Sequence, residues 1–555
     1  MAFFSQLFGI FYFQVVLCAN IVFIFAIFVW ALKNRKIPAC RQAGKNLKIE
    51  KLKLRNVDWV LPLVILIAFL TLWQVHFNYT GKINFASDTT VSYHQVKNMK
   101  YIYPYFSDEW YAVSLINEAI KNHSLPLTNP FTGDGFLNFE MFFHSFMAGI
   151  FLLFGLNPLT NYVLVSLFFN VLIVVLAYLF LRINEIPKLP SAISSLFLLY
   201  ITSAANLPAF WTFIPANLGI IFCLLGFCFM GSVLGLTPLA CGALVALFYP
   251  PLAVFYLVAL AVHYFYKYPE HRPKSFKIII CSLIFLIPAL FVLYVFLAFS
   301  GHLGFLNSVF SKIFYRSLTG NYIPQYNFYN IIPWPAILFS IIGLPYVFKN
   351  KKWLFWLFIL GTIFWIFYVF SPEMFIIEYP RVVLFTSILA VIIAGFGMKK
   401  AELKWPAFKN LEILGIIAFL IFLPFYTQRE NWQKLILVDY STGSKIYAKS
   451  PANNYLTQDD LKIFSKFDGK RFLSVPWKGT VLGVATKNYP VSIKDGTIAL
   501  EQDLYFEFSA IDCGQKQKLA KNRNIDYIYS LPFSCQNFEK IDQSSEGFAL
   551  YKIND

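Results

Sequence analysis

The sequence predicts a mainly α-helical fold: a polytopic transmembrane helical bundle of about twelve spans, carrying a small extracytoplasmic α/β domain at its C-terminus. Three observations support this. Of 555 residues, 58% are hydrophobic and only 14% charged, where ordinary soluble chains average about 25% charged. Apolar runs of membrane-crossing length recur along the chain. The net charge of +17 falls in short loops between those runs. It forms no stripe on a soluble domain, which argues for membrane orientation and against a nucleic-acid partner.

Spans are expected at roughly 8–32, 57–76, 139–155, 160–182, 190–205, 217–234, 237–266, 277–300, 335–349, 352–371, 380–398 and 410–427. "FYPPL" (248–252) either kinks or divides the run 237–266. The basic loops are "KNRKIPACRQAGKNLKIEKLKLR" (33–55), "KYPEHRPKSFK" (267–277), "KNKK" (349–352) and "KKAELK" (399–404). Counting spans places all four on one side, which the positive-inside rule makes the cytoplasm. The first loop (77–137), the segments 301–334 and 371–381, and everything after 430 then lie outside. The expected division is a transmembrane domain over 1–429 and a soluble domain over 430–555. The first run has no basic n-region and no A-x-A site, and reads as a retained anchor.

In the C-terminal domain, "RFLSVPW", "NIDYIYSL" and "GFALYKI" read as strands, by their β-branched and aromatic residues. "CGQKQKLAKNRN" between them reads as a helix. Cys513 and Cys535 fall in this domain, where a disulfide is permitted. Cys18, Cys223, Cys228, Cys241 and Cys281 lie in apolar runs and read as small packing residues. The spacing of cysteines and histidines fits no zinc site, so no metal and no cofactor are expected.

One stretch of the first loop is chemically distinctive: "YPYFSDEWYAVSLINEAI" (103–120). Ser107 is placed to cap a helix, with Asp108 and Glu109 in its first turn. Ala112, Leu115, Ile116, Ala119 and Ile120 recur at helical spacing, as in a helix lying on a membrane surface. "NHSLPLTNP" supplies the turn residues that end it. Taken alone, the acidic pair only complements the helix dipole. At the outer membrane face it gains a second use. A carboxylate there can take a proton from a water-side acceptor while a lipid tail holds the other substrate in the bilayer.

The span, the outside "SDEWYAVSLINEAIKNHSLPLTNP" and the return span ending in "LLFGLNPLTNYVLV" together resemble the GT-C superfamily of polytopic glycosyltransferases. That superfamily includes the protein O-mannosyltransferases, the lipid A aminoarabinose transferases and the oligosaccharyltransferases. The resemblance implies a sugar donor on a polyprenyl phosphate, an extracytoplasmic acceptor (glycan, lipid or protein) and inverting transfer, with Asp108 as base and Glu109 its neighbour. The sequence departs from the family plan in two ways. A complete extra span precedes the one leading into the acidic loop, and the W-W-D motif of oligosaccharyltransferases is absent, "PWKG" (476–479) being the nearest stretch. That absence argues against N-glycosylation and against metal dependence.

Other residues are candidates for donor-phosphate or substrate binding. Arg381 and Glu378 stand at the outer mouth of a span, where an arginine either matches a lipid phosphate or snorkels. Arg316, with Lys312, lies in a tyrosine-rich outside loop. Glu140 and His144, four residues apart, share one helix face and either line an acceptor cavity or satisfy each other. Asp88 and His94 are outside, without a distinguishing pattern. Two other classes fit the same architecture: a flippase or transporter of lipid-linked glycans, and a non-catalytic scaffold in envelope assembly. A flippase calls for mid-span charges and paired broken helices, and the sequence has few of the former and no internal symmetry.

Overall fold

The computed structural model describes residues 2–20 (except 8 and 19), 58–85, 92–135, 138, 140–201, 212–230, 236–267, 322–325, 331–370, 379–405, 407, 410, 413–415, 434–439, 445–449, 455–493 and 504–554. It is mainly helical, with a small mixed sheet. In chain order the helices of the apolar part are α1 (Ala2–Leu7), α2 (Val60–Phe77), α3 (Ser107–Asn122), α4 (Met141–Phe154), α5 (Pro158–Ile183), α6 (Lys188–Phe197), α7 (Pro215–Phe229), α8 (Leu236–Phe248), α9 (Pro250–Lys267), α10 (Trp334–Asn350), α11 (Lys352–Phe370) and α12 (Tyr379–Lys404). Of these, α2, α5 and the Arg381–Lys404 part of α12 are long and apolar enough to cross a membrane. Large apolar side chains stand outward on the helices, such as Leu66, Phe168 and Ile341, each at least half exposed. A lipid environment, rather than water, suits such a surface.

Side-chain contacts sort the helix ends into two groups. At one end Asp58 accepts hydrogen bonds from Tyr178 (2.8 Å) and from Arg182 Nε (3.3 Å), and pairs with Lys188 at 3.5 Å. Trp353 there meets Phe180, Phe227 and His263, the late residues of α5, α7 and α9. Lys352 lies over the Tyr266 ring and Lys399 over Tyr346. The basic stretches at 267, 349–352 and 399–404 therefore leave the bundle at one end. At the opposite end, Tyr162 Oη donates to the Phe213 carbonyl at 2.5 Å.

Three expected spans fold differently: 190–205 is the ten-residue α6 followed by a 3₁₀ turn, and 139–155 and 237–266 depart as follows; the expected spans 277–300, most of 8–32 and most of 410–427 lie outside the described residues. The helix expected to cross at 139–155 is α4, only fourteen residues long. Its first turn puts Phe143 against Phe213, and its last turn puts Phe151 against Tyr162. Both of its ends thus lie at the end opposite the basic loops, so α4 runs across that end rather than through the bundle. The run 237–266 is two helices in an antiparallel hairpin about Tyr249. Tyr256 Oη donates to the Pro238 carbonyl at 2.8 Å, and Pro250–Pro251 cannot supply the N–H groups a continuous helix needs. The hairpin at Tyr249 returns the chain so that Lys267 lies at the same end as the described basic stretches 349–352 and 399–404.

Close approach fixes the pairing of α10 with α12. A Cβ at Gly397 would lie 1.8 Å from the Phe339 carbonyl oxygen, and one at Gly343 would lie 2.4 Å from that of Ile393. Without a hydrophobic drive between helices in lipid, such small-residue contacts carry the packing.

The C-terminal domain is built on a five-stranded mixed sheet in the order β7-β6-β8-β10-β9, formed by β6 (Arg471–Ser474), β7 (Tyr489–Pro490), β8 (Tyr527–Ser530), β9 (Phe538–Gln543) and β10 (Ala549–Ile553). β6 runs parallel to β7 and β8, and β10 antiparallel to β8 and β9. All three strands read from sequence are present. The helices around them are α13 (Gln458–Phe464), α14 (Pro476–Ala485), α15 (Leu504–Ala510) and α16 (Cys513–Asn522). The "PW" of "RFLSVPW" opens α14 instead of extending β6, because proline fits the first turn of a helix. Two smaller sheets complete the strands. One is the antiparallel hairpin of β1 (Tyr79–Phe85) with β2 (Ser92–Met99) in the first loop; the other is a three-stranded sheet of β3 (Tyr322–Gln325), β4 (Lys434–Asp439) and β5 (Lys445–Lys449). Cys513 and Cys535 form a disulfide.

Two outcomes follow. Gly397→Leu is expected to destabilise the α10–α12 pair by about 1–3 kcal/mol, the usual cost of overpacking. This is readable as a drop in melting temperature of the solubilised protein, with Gly415→Ala, where a Cβ meets only ordinary contact, as control. Replacing both Cys513 and Cys535 by serine should cost the domain ~3 kcal/mol through the freed loop, while peptide mapping of the parent shows the linked pair only without reductant.

Candidate active site

The helix that carries the acidic pair, α3, is sandwiched between two cores. Its Ala112, Val113, Ile116 and Ala119 pack in the bundle core, while Trp110 belongs to the core of the C-terminal domain. Tyr111 joins Phe131 and Ile493 in a third patch. Val484 of α14 touches all three groups. The spacing of its apolar residues predicts α3 lying on an open membrane surface. In fact Glu109 to Ile116 is buried without a break, because the domain covers the face that would have met headgroups and water. Ser107 does not cap α3. The turn is closed by the Phe106 carbonyl, which accepts from Glu109 N and Trp110 N, and the cap residue is extended Phe106 with no side-chain bond. His123, at φ +53°, ends the helix where the sequence predicts a stop.

This burial separates the two carboxylates. Asp108 is exposed, whereas Glu109 is 1% exposed. Glu109 Oε1 accepts from the Phe213 peptide N–H at 3.2 Å, and Oε2 is buried without a hydrogen bond. Burial pushes the Glu109 carboxyl up to about 8. Peptide N–H groups of Phe213, Tyr105 and Phe106 oppose that shift, and the nearby charge of Asp108 adds to it.

The segment that Glu109 holds is clamped from two further helices. The Phe213 carbonyl accepts from Tyr162, and the Thr212 carbonyl from Asn170 Nδ2 (3.2 Å) and Asn217 Nδ2 (2.9 Å). Asn217 Nδ2 also donates to Asn170 Oδ1 at 3.0 Å. Sequence reasoning missed this network, although a signal was present. Tyr162, Ser166 and Asn170 recur every fourth residue, a polar stripe on one face of an otherwise apolar helix, and such stripes face the protein interior.

Arg381 stands at the same end. Its guanidinium donates to Tyr249 Oη and lies 5.0 Å from the centre of that ring. Tyr249 in turn lies against Gly219, two residues beyond Asn217, where a Cβ would come within 2.7 Å of the tyrosine's. A short chain of contacts thus joins Arg381 to the Glu109 clamp.

Glu140 and His144 do not come together. Glu140 is exposed, and buried His144 receives a hydrogen bond on Nδ1 from Asn138 Nδ2 at 3.0 Å. Asn138 Nδ2 also donates to Pro126 O at 3.1 Å, so an asparagine outside the motif satisfies the histidine. Glu378, Arg316, Lys312 and Asp88 lie outside the described residues, and His94 lies in the first-loop hairpin. Among the described residues, no three histidines, cysteines or carboxylates are grouped to hold a metal ion.

No family model matches the sequence, and no curated protein matches it. Solved structures of similar arrangement exist. One is the archaeal oligosaccharyltransferase AglB from Archaeoglobus fulgidus in complex with an inhibitory peptide and a dolichol-phosphate, at 12% identity and TM-score 0.47, covering 85% of this chain and 69% of that one. The Archaeoglobus fulgidus oligosaccharyltransferase in its apo form is 13% identical, with TM-score 0.45 and coverages of 86% and 70%. Its complex with Zn and sulfate is 13% identical, with TM-score 0.46 and coverages of 88% and 73%.

The buried carboxyl has a measurable consequence. Its pKa is raised from 4.5 to about 8 in the fold, so its contribution favours the folded state most below pH 4.5 and is lost as pH rises to about 8. Glu109→Gln keeps an oxygen for the Phe213 N–H and removes the titration. The wild type should therefore lose stability relative to Glu109→Gln between pH 5 and 8, by at most about 5 kcal/mol. Thermal melts of both proteins at the two pH values check this, and parallel pH dependence would contradict it.

Proposed function

We propose that this chain is a multi-pass membrane glycosyltransferase of the GT-C kind, moving a sugar from a polyprenyl-phosphate-linked donor to an extracytoplasmic glycan, lipid or protein with inversion. The observation that carries the proposal is the position of Asp108. It is an exposed carboxylate in the first turn of a helix held between a lipid-type bundle and a water-soluble domain. A lipid-borne donor and a water-side acceptor can both reach such a place. The disulfide of the C-terminal domain supports an oxidising, extracytoplasmic location for residues 430–555. The grouping of basic loops at the opposite end of the bundle supports the same orientation for the first loop, 77–137, with 1–429 as the membrane domain.

In the proposed reaction Asp108 accepts the proton of the acceptor hydroxyl as that oxygen bonds to the anomeric carbon. The bond from that carbon to the phosphate oxygen breaks on the opposite face of the sugar. Arg381, held against Tyr249, stabilises the negative charge that remains on the lipid phosphate. Glu109 holds the 212–213 backbone and so shapes the wall beside the base. Arg316 stays a candidate for the donor phosphate, and Glu378 and exposed Glu140 for substrate contact. His144, satisfied by Asn138, supports the edge of the site.

Membranes carrying Asp108→Asn should transfer labelled sugar from a lipid-linked donor at least about 100-fold more slowly than wild type, in line with loss of a general base. Arg381→Ala should slow transfer as well, and Glu109→Gln less than Asp108→Asn. Undiminished transfer by Asp108→Asn would overturn the assignment.

A further inference from the structure

The C-terminal domain contains a buried ion cluster outside the candidate site. Lys478, in the first turn of α14, is 3% exposed. Its Nζ pairs with Asp460 Oδ2 at 2.5 Å and with Glu546 Oε2 at 2.6 Å, and donates to the Tyr455 carbonyl at 2.7 Å. Burial opposes the lysine charge, but Asp460 and Glu546 hold its pKa above the ordinary lysine range. Asp460 is fixed from three further sides: Tyr529 Oη donates to Oδ1 at 2.6 Å, Thr457 N donates to Oδ2 at 2.9 Å, and Asp460 N bonds back to Thr457 Oγ1 at 3.0 Å.

This cluster is linked to the acidic loop. Tyr455, whose carbonyl Lys478 holds, precedes Leu456, whose peptide N–H donates to Tyr101 Oη at 3.0 Å. The Tyr101 ring contacts Tyr455, Tyr103 and Tyr105 at 5.2, 5.6 and 4.7 Å. Tyr105 Oη in turn donates to the His76 carbonyl at the end of α2, at 2.9 Å. Asp108 follows Tyr105 by three residues. Two hydrogen bonds, from Lys478 to the Tyr455 carbonyl and from the Leu456 N–H to Tyr101 Oη, therefore tie the cluster to the segment that enters α3, where the Tyr101 ring packs on Tyr105.

We propose that the Asp460–Lys478–Glu546 cluster is a latch that sets the position of the first loop, with Lys478 as a positioning residue for Asp108. The physical argument is one of cost. Desolvating three charges is expensive, and a well-packed apolar replacement is often neutral or stabilising. An apolar contact between loop and domain would tolerate sliding. The lysine instead fixes one carbonyl in one direction, and the adjacent N–H fixes Tyr101. The consequence for transfer rests on the proposed function, whereas the latch itself does not.

The test is hydrogen–deuterium exchange on the full-length protein in lipid nanodiscs, with no substrate present, comparing wild type, Lys478→Met and Tyr101→Phe. Both variants should speed exchange of the Leu456 amide and of the 99–107 peptide at least tenfold. The sheet peptides 527–530 and 549–553 should be unchanged in Tyr101→Phe. Should Lys478→Met unfold the sheet, Tyr101→Phe decides. Unchanged protection of 99–107 in Tyr101→Phe, with the sheet intact, overturns the latch. In a transfer assay, Tyr101→Phe should lower kcat several-fold and leave KM for the lipid-linked donor unchanged. A raised KM with unchanged kcat would contradict positioning of the base. Exchange is read without turnover, so failure of the transferase reading and failure of the latch are separate results.

Discussion

The rest of the structure depends on the burial of α3 between two hydrophobic cores. A sixteen-residue helix with apolar residues on nearly every side of its first half has no stable place in water. The bundle takes Ala112, Val113, Ile116 and Ala119, and the domain takes Trp110. Because both faces are spoken for, the helix cannot rotate, and its first turn has one orientation. Two neighbouring carboxylates, about 100° apart around the helix, then meet opposite environments. Asp108 faces out, and Glu109 is enclosed beside the Phe213 peptide.

That separation gives the pair a division of labour which two adjacent letters do not show. An exposed carboxylate can meet a substrate. A buried one bonded to the Phe213 peptide holds backbone and resists ionising. The helices that converge on the 212–213 segment contribute Tyr162, Asn170 and Asn217, each spending its polar group on a main-chain atom or on another member of the set. Buried polar groups of this kind specify one arrangement because any other leaves them unpaired. Arg381 reaches the same region through Tyr249. The acidic helix, the clamp and the arginine are therefore parts of one end of one bundle, although they are up to 273 residues apart in the chain (Asp108 to Arg381).

Much of this was legible in the sequence, and the rest was obscured for identifiable reasons. Strand character at 471–474, 527–530 and 549–553 was visible because a half-buried sheet selects β-branched and aromatic residues. The basic stretches at 267, 349–352 and 399–404 are legible as loops because the apolar runs beside them are easily recognised. Among the described residues the crossing count departs at 139–155, at 237–266 and at 190–205, where the helix stops after ten residues. Composition cannot tell an apolar helix that lies across a bundle end from one that passes through it, which is why α4 was read as a span. "FYPPL" signalled a break but not its angle. Ser107 has the right side chain for a cap, yet the Phe106 carbonyl closes the turn, a choice made by backbone geometry. Glu140 and His144 share a helix face, but Asn138 reaches the histidine first from a loop that spacing rules do not see. "PWKG" is no W-W-D motif. Its lysine matters because Asp460 and Glu546, eighteen residues before it and sixty-eight after it, fold against it.

The separation of Asp108 from Glu109 is the central claim, and carboxyl footprinting tests it most directly. Native protein in membrane vesicles, treated with a water-soluble carbodiimide and an amine at neutral pH and then digested for mass spectrometry, should carry the label on Asp108. Glu109 should stay unlabelled until the protein is unfolded. Equal labelling of the two residues in the native protein, or labelling of Glu109 ahead of Asp108, would contradict the account.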